Sequence, residues 1–105
     1  MAARREKRGL PPSHPGAYLR EDILPALGMT ITDLAKHLGV SRTALSQVVN
    51  EKHDVSVIMA QRLGQAFGTG SRFWIALQMH YDLWQAEQLN SIAVERLRWN
   101  DGEAA

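Results

Sequence analysis

Residues Thr30 to Asn50 read TITDLAKHLGVSRTALSQVVN, and their spacing decides the fold. The stretch predicts two short helices joined by a tight turn. Thr30 caps the first, with Asp33 three places on completing a weak version of the capping box. Leu34, Ala35 and Leu38 fall on one face at helical spacing. Gly39 ends that helix, because glycine enters the left-handed conformation with no steric penalty. Val40 returns to the core, and Ser41 caps the second helix.

The second helix carries the information. Its apolar side is expected to hold Ala44, Leu45, Val48 and Val49. Arg42, Thr43, Ser46, Gln47 and Asn50 fall opposite, at i, i+1, i+4, i+5 and i+8. That outer face has one cation, four small or amide side chains and no carboxylate. Such residues suit the major groove of DNA: Arg pairs with guanine, Gln or Asn with adenine, Ser or Thr with either, and phosphate accepts from all of them. An ordinary solvated face would be richer in Lys and Glu. With Ala35 small and Gly39 at the turn, the pair has helix-turn-helix spacing.

Working outward, His14-Pro15-Gly16 predicts a turn, followed by a helix from about Ala17 to Leu24 with Leu19, Ile23 and Leu27 inward. Pro25 ends that helix or sits in its distorted last turn. Beyond the pair, Glu51 to Val55 reads as a polar loop. Ser56 caps a fourth helix reaching Phe67, with Val57, Ala60, Leu63, Ala66 and Phe67 inward. Gly64 inside it costs about 1 kcal/mol relative to Ala and marks a close contact. A fifth helix, Ser71 to Leu89, is the longest. Phe73, Trp74, Leu77, Tyr81 and Trp84 make one apolar stripe, and Ile75, Met79, Leu83 and Ala86 make another. One stripe packs on the domain; a second implies another burial partner, and a homodimer interface through Ile75, Met79, Leu83 and Trp84 is expected.

Residues 1–13 form a basic arm ending in Pro11-Pro12, expected to be flexible, and either contact phosphate or a partner or are simply a solvated terminus. Residues 90–105 form a tail in which Ile92, Val94, Leu97 and Trp99 predict a short strand or irregular turn. Between them, 14–89 is one domain. The chain of 105 residues has room for a modest single core, and its 45% hydrophobic content is that of a soluble globular protein.

Charge is uneven. Net charge is only +1, but residues 1–20 carry a balance of +4 and residues 76–105 one of −3. A basic front and an acidic back suggest that one surface meets phosphate. The neutral middle keeps electrostatic affinity per monomer low, which argues for a dimer. No apolar run is long enough to cross a bilayer, and no apolar segment follows the basic start, so a signal peptide is not expected. With no cysteine, thiolate metal sites and disulfides are excluded, and a cytoplasmic location is expected. His14, His37, His53 and His80 stand singly, without metal spacing. No Ser-His-carboxylate set or phosphate-cradling glycine loop is present, so neither an enzyme nor a metal or other cofactor is expected.

Several blocks together resemble the HigA, or VapI, family of antitoxins, within the lambda-repressor-like group. They are His14-Pro15-Gly16, Pro25-Ala26-Leu27-Gly28, Leu34-Ala35, Gly39-Val40-Ser41, Val49-Asn50, Ala60 with Arg62-Leu63, Phe67-Gly68-Thr69, and Phe73-Trp74 with Leu77-Gln78. The closing block, FGTGSRFWIALQMHYDL, is more specific than a generic helix-turn-helix signal. The resemblance implies an all-α, five-helix, lambda-repressor-like domain with a long C-terminal helix. It also implies a partner toxin, commonly a RelE-like (HigB-type) ribonuclease, and repression of the chain's own operon by a dimer on a palindromic operator. By resemblance, Arg42, Thr43 and Gln47 match base-reading positions. Thr30 and Ile31 sit where the preceding helix meets phosphate, and Ser46, Asn50 and Lys52 are further backbone contacts. The chain departs from the family at Ala17, where Glu is usual, and at His53, where Arg is common. Glu51 stands where the family usually has Gly, so that loop is expected to be reshaped or slightly strained. A stand-alone transcriptional regulator without a toxin remains the alternative.

Overall fold

The structure, a computed structural model, describes residues 11–99. The first ten residues of the basic arm and the last six of the tail lie outside the described residues. The fold is all-α. Helix α1 covers 15–27 in three continuous pieces: α-helical Pro15–Tyr18, a π-helical turn Leu19–Ile23 and α-helical Leu24–Leu27. Then come α2 (Ile31–Leu38), α3 (Arg42–Val49), α4 (Val57–Phe67) and α5 (Ser71–Leu89). No strand occurs among the described residues.

Helix α1 differs from expectation at both ends. It starts at Pro15 because His14, in extended backbone, caps it: the Gly16 N–H donates to Nδ1 at 2.8 Å. Pro15 then occupies a position whose N–H would have had no helical partner. The buried imidazole leaves Nε2 without a hydrogen-bond partner, and its ring meets Tyr81 edge-on at 5.1 Å. Pro25 does not end the helix. The turn before it widens, with the Leu24 N–H donating to the carbonyl five residues back at Leu19. Pro25 has no N–H to give and its ring crowds the carbonyl four residues back, so a looser turn just upstream accommodates it. Leu27, expected inward, is 51% exposed.

The capping signals all appear. Thr30 and Asp33 form a reciprocal capping box on α2. Ser41 accepts from the Ala44 N–H at the start of α3, and Ser56 from the Met59 N–H at the start of α4, each at 3.0 Å. Gly39 leaves α2 with φ of 76°. The α2 C-terminus gains a further lock, since Arg62 of α4 donates to the Leu38 carbonyl at 2.7 Å.

The core gathers Leu19, Leu34, Ala35, Leu38, Leu45, Val48, Val49, Ala60 and Leu63 around Trp74. Trp74 is wholly buried, packs against Tyr18, Phe67 and Phe73, and donates its indole N–H to Thr69 Oγ1 at 3.0 Å. Burying that ring with its one donor satisfied makes it the largest single contributor to the core. Gly64 does mark a close contact: a Cβ there would lie 2.4 Å from the Gly70 backbone, so no side chain fits where α4 meets the turn into α5. Val57, expected inward, is 63% exposed. The tail from 90 to 99 has no regular structure, and Ile92, Val94, Leu97 and Trp99 are all exposed, so of the two expectations the strand is not formed.

Candidate nucleic-acid interface

Helix α3 is seated from beneath. Leu45, Val48 and Val49 anchor its inner side, while Ala44, expected inward, is exposed. The N-terminus of α1 closes on its far end: a Cβ on Gly16 would sit 1.9 Å from the Val48 carbonyl oxygen. Only glycine allows the two backbones to approach so closely.

The outer side is polar. Thr43 and Gln47 are exposed, and their side chains make no hydrogen bond to another described residue. Arg42, in the first turn of α3, leans back across the pair and donates through Nε to Thr32 Oγ1 of α2 at 3.1 Å. That contact fixes the stem while leaving the outer fork of the guanidinium available. Ser46 is half-buried, and Asn50 donates to its carbonyl at 2.9 Å and its hydroxyl at 3.2 Å. Asn50 therefore serves the end of α3 as well as the surface. Lys52 is exposed, its side chain without a described partner, and its N–H returns to the Gln47 carbonyl at 2.8 Å.

At α2, the Thr30 hydroxyl is occupied by its cap, and the Ile31 side chain packs half-buried on the core. What Ile31 can present to an anion is its backbone N–H in the first turn of a helix, where such groups lack helical acceptors. On α5, Ile75 and Trp84 are half-buried, whereas Met79 and Leu83 are 51% and 53% exposed. The structure thus groups the first eight site residues around the helix pair and sets Ile75, Met79, Leu83 and Trp84 apart on α5.

Two residues that hold the loop after α3 escape sequence reasoning. Arg20, on the widened turn of α1, donates to the Val49 carbonyl at 2.7 Å and to Glu21 and Glu51 carboxylates at 3.0 Å each. Hydrogen bonding to Glu51 first, then to Glu21, raises the guanidinium above its already high range, so its charge is permanent. Glu51 is the one non-glycine residue with positive φ among those described, at 63°. The strain expected from a residue other than glycine there is present, and such a conformation costs on the order of 1–2 kcal/mol. An exposed ion pair contributes only about 0–1 kcal/mol, so the hydrogen bond from Arg20 to the Val49 carbonyl is the firmer part of this anchor. Gln78, buried on α5, accepts from the Val55 N–H at 2.7 Å and donates to Asp54 and Asp82, fixing the loop's other end. Glu51 in glycine's usual place marks the loop without pointing to Arg20, and Gln78 stands in a block that carries the family resemblance without any role attached to it.

A helix pair of this geometry, with a polar outer helix seated on a small core, defines a helix-turn-helix protein. The profile of the helix-turn-helix family matches residues 19–74, and the chain belongs to that family. Within it the likeness runs to HigA-type antitoxins. The chain is similar to virulence-associated protein A' of Dichelobacter nodosus, 45% identical over 81% of this chain and 71% of that one. It also resembles the antitoxin GraA in complex with its operator, at 36% identity and a TM-score of 0.75, covering 89% of this chain and 98% of the other. A third likeness is to the Pseudomonas aeruginosa antitoxin HigA with the higBA promoter, at 38% identity and a TM-score of 0.73, covering 75% and 86%. Both solved structures are antitoxins with their promoter or operator DNA, and the family is one of DNA-binding regulators and antitoxins, not enzymes. Among the described residues no group of three or more His, Asp or Glu could hold a metal ion, and no helix is long and apolar enough to cross a membrane.

Proposed function

We propose that this chain is a sequence-specific DNA-binding antitoxin that represses its own operon as a homodimer and neutralises a RelE-like (HigB-type) toxin. The observation that carries the DNA role is the outer face of α3, where Thr43 and Gln47 are exposed without described partners and Arg42 is braced at its stem. Arg42, Thr43 and Gln47 read base edges; Ser46, Asn50, Lys52, Thr30 and the Ile31 N–H meet phosphate. A dimer through Ile75, Met79, Leu83 and Trp84 sets two such faces about 34 Å apart, one turn of DNA. The operator complexes of GraA and HigA support the same reading. This function puts the chain in the cytoplasm.

The test has two parts. Replacing Arg42 and Gln47 together with Ala abolishes binding to a duplex of the chain's own promoter while helicity stays intact; unchanged affinity overturns the assigned face. Leu83→Glu shifts the mass in solution from dimer to monomer, and an unchanged mass overturns the interface. Expressing the chain with its neighbouring small reading frame yields a stable complex whose partner arrests growth alone. Tight promoter binding with no such partner leaves a stand-alone regulator.

A further inference from the structure

We propose that Arg20 is a positioning residue for DNA recognition: it offsets the charge of Glu51 and holds the exit of α3, so that Asn50 and Lys52 meet phosphate against less repulsion from that carboxylate. The inference rests on the DNA-reading face proposed above and extends it to a residue of α1.

The geometry of the exit is tightly determined. The Ser46, Gln47 and Val48 carbonyls at the end of α3 accept from the Asn50, Lys52 and Glu51 N–H groups respectively, and Gln47 also from His53. The Val49 carbonyl instead accepts from Arg20, across 29 residues of sequence. A cation at a helix C-terminus also matches the helix dipole. The same guanidinium reaches Glu51, and Glu21 as well, through its other nitrogen. One planar fork therefore fixes a backbone oxygen and a carboxylate at once, which a lysine ammonium cannot reproduce.

The charge argument follows from sequence order. Glu51 lies between Asn50 and Lys52, both exposed and both assigned to phosphate. A bare carboxylate at that position would repel the strand that its neighbours attract. Arg20, shared with Glu21, offsets part of that charge, so the strand meets less repulsion beside Lys52. A glycine at 51 would avoid both the strain and the charge. With Glu present, Arg20 becomes necessary, and the two positions form a single unit.

The experiment measures binding of the full chain to a duplex of its own promoter at low and high salt. Arg20→Met weakens binding about 10-fold at low salt, and the loss shrinks as salt screens the uncovered carboxylate. Adding Glu51→Gly, or Glu51→Gln, to Arg20→Met restores affinity to within about 3-fold of the unaltered chain. Arg20→Lys gives a smaller loss, about 3-fold, relieved in the same way, and carries the test if the methionine variant fails to fold. Wild-type affinity in Arg20→Met overturns the proposal. So does a salt-independent loss that neither change at 51 rescues, since that marks a brace for the fold alone. The Arg42 and Gln47 double variant is measured alongside. If it binds normally the face itself is misassigned; if it fails while Arg20→Met binds normally, only the role of Arg20 falls.

Discussion

Helices α3 and α5 each leave one side uncovered, and the two sides differ in what exposure costs. On α3 the uncovered groups are Arg42, Thr43 and Gln47, which water solvates as well as any partner would. On α5 they are Met79 and Leu83, each about half exposed, and water gains nothing from them. Apolar area left in water forfeits roughly 25 cal/mol per Å², so a face like that of α5 is stabilised by protein. A polar face stays idle until a ligand with a matching pattern arrives. The lesson is that exposure has meaning only together with chemistry: one helix is suited to a hydrogen-bonding partner, the other to a second apolar surface.

That contrast can be broken most severely at the buried start of α5. Trp74→Ala removes the ring on which three aromatics pack and should destabilise the fold by about 3–5 kcal/mol in denaturant titration. Next comes the seat of α3. Gly16→Ala forces a methyl group into the Val48 carbonyl and should cost about 2–3 kcal/mol, measured the same way, because a backbone oxygen cannot rotate aside. The outer face of α3 sharpens the comparison. Gln47→Ala should lose about 1–3 kcal/mol of operator binding with an unchanged melting temperature, since no described residue relies on its side chain. The smallest effect is expected at Ser41, whose change to Ala removes the cap of α3 and about 1 kcal/mol of stability. A large stability loss from Gln47→Ala would erase the distinction between a working face and a structural one.

The helix pair was legible in the sequence because its signals are local. Thr30 with Asp33, Ser41, Ser56 and Gly39 each act within four residues of where they stand, and each appears in the structure. The errors came where the cause was distant or unusual. His14 is not among the common capping residues, so the sequence pattern starts α1 at Ala17 rather than at Pro15. At Pro25 the sequence allows a stop or a distorted last turn; the second holds, and the widened turn that admits it leaves no mark in the sequence. Periodicity places Ala44, Leu27 and Val57 inward, yet each is exposed. Within the candidate site, Thr43 and Gln47 could be placed from spacing alone. Arg20 could not, because its partners lie 29 and 31 residues away and only the folded chain brings them together.

The three indoles give this chain a graded set of optical reporters. Trp74 is fully buried, Trp84 is half-buried on the apolar side of α5, and Trp99 is 65% exposed. Emission from Trp74 follows the integrity of the core, and that from Trp84 responds when a surface closes over α5. Trp99 stands close to a solvent reference until the tail is engaged. With the other two indoles replaced by phenylalanine, each single-tryptophan version would separate unfolding from association without any added dye.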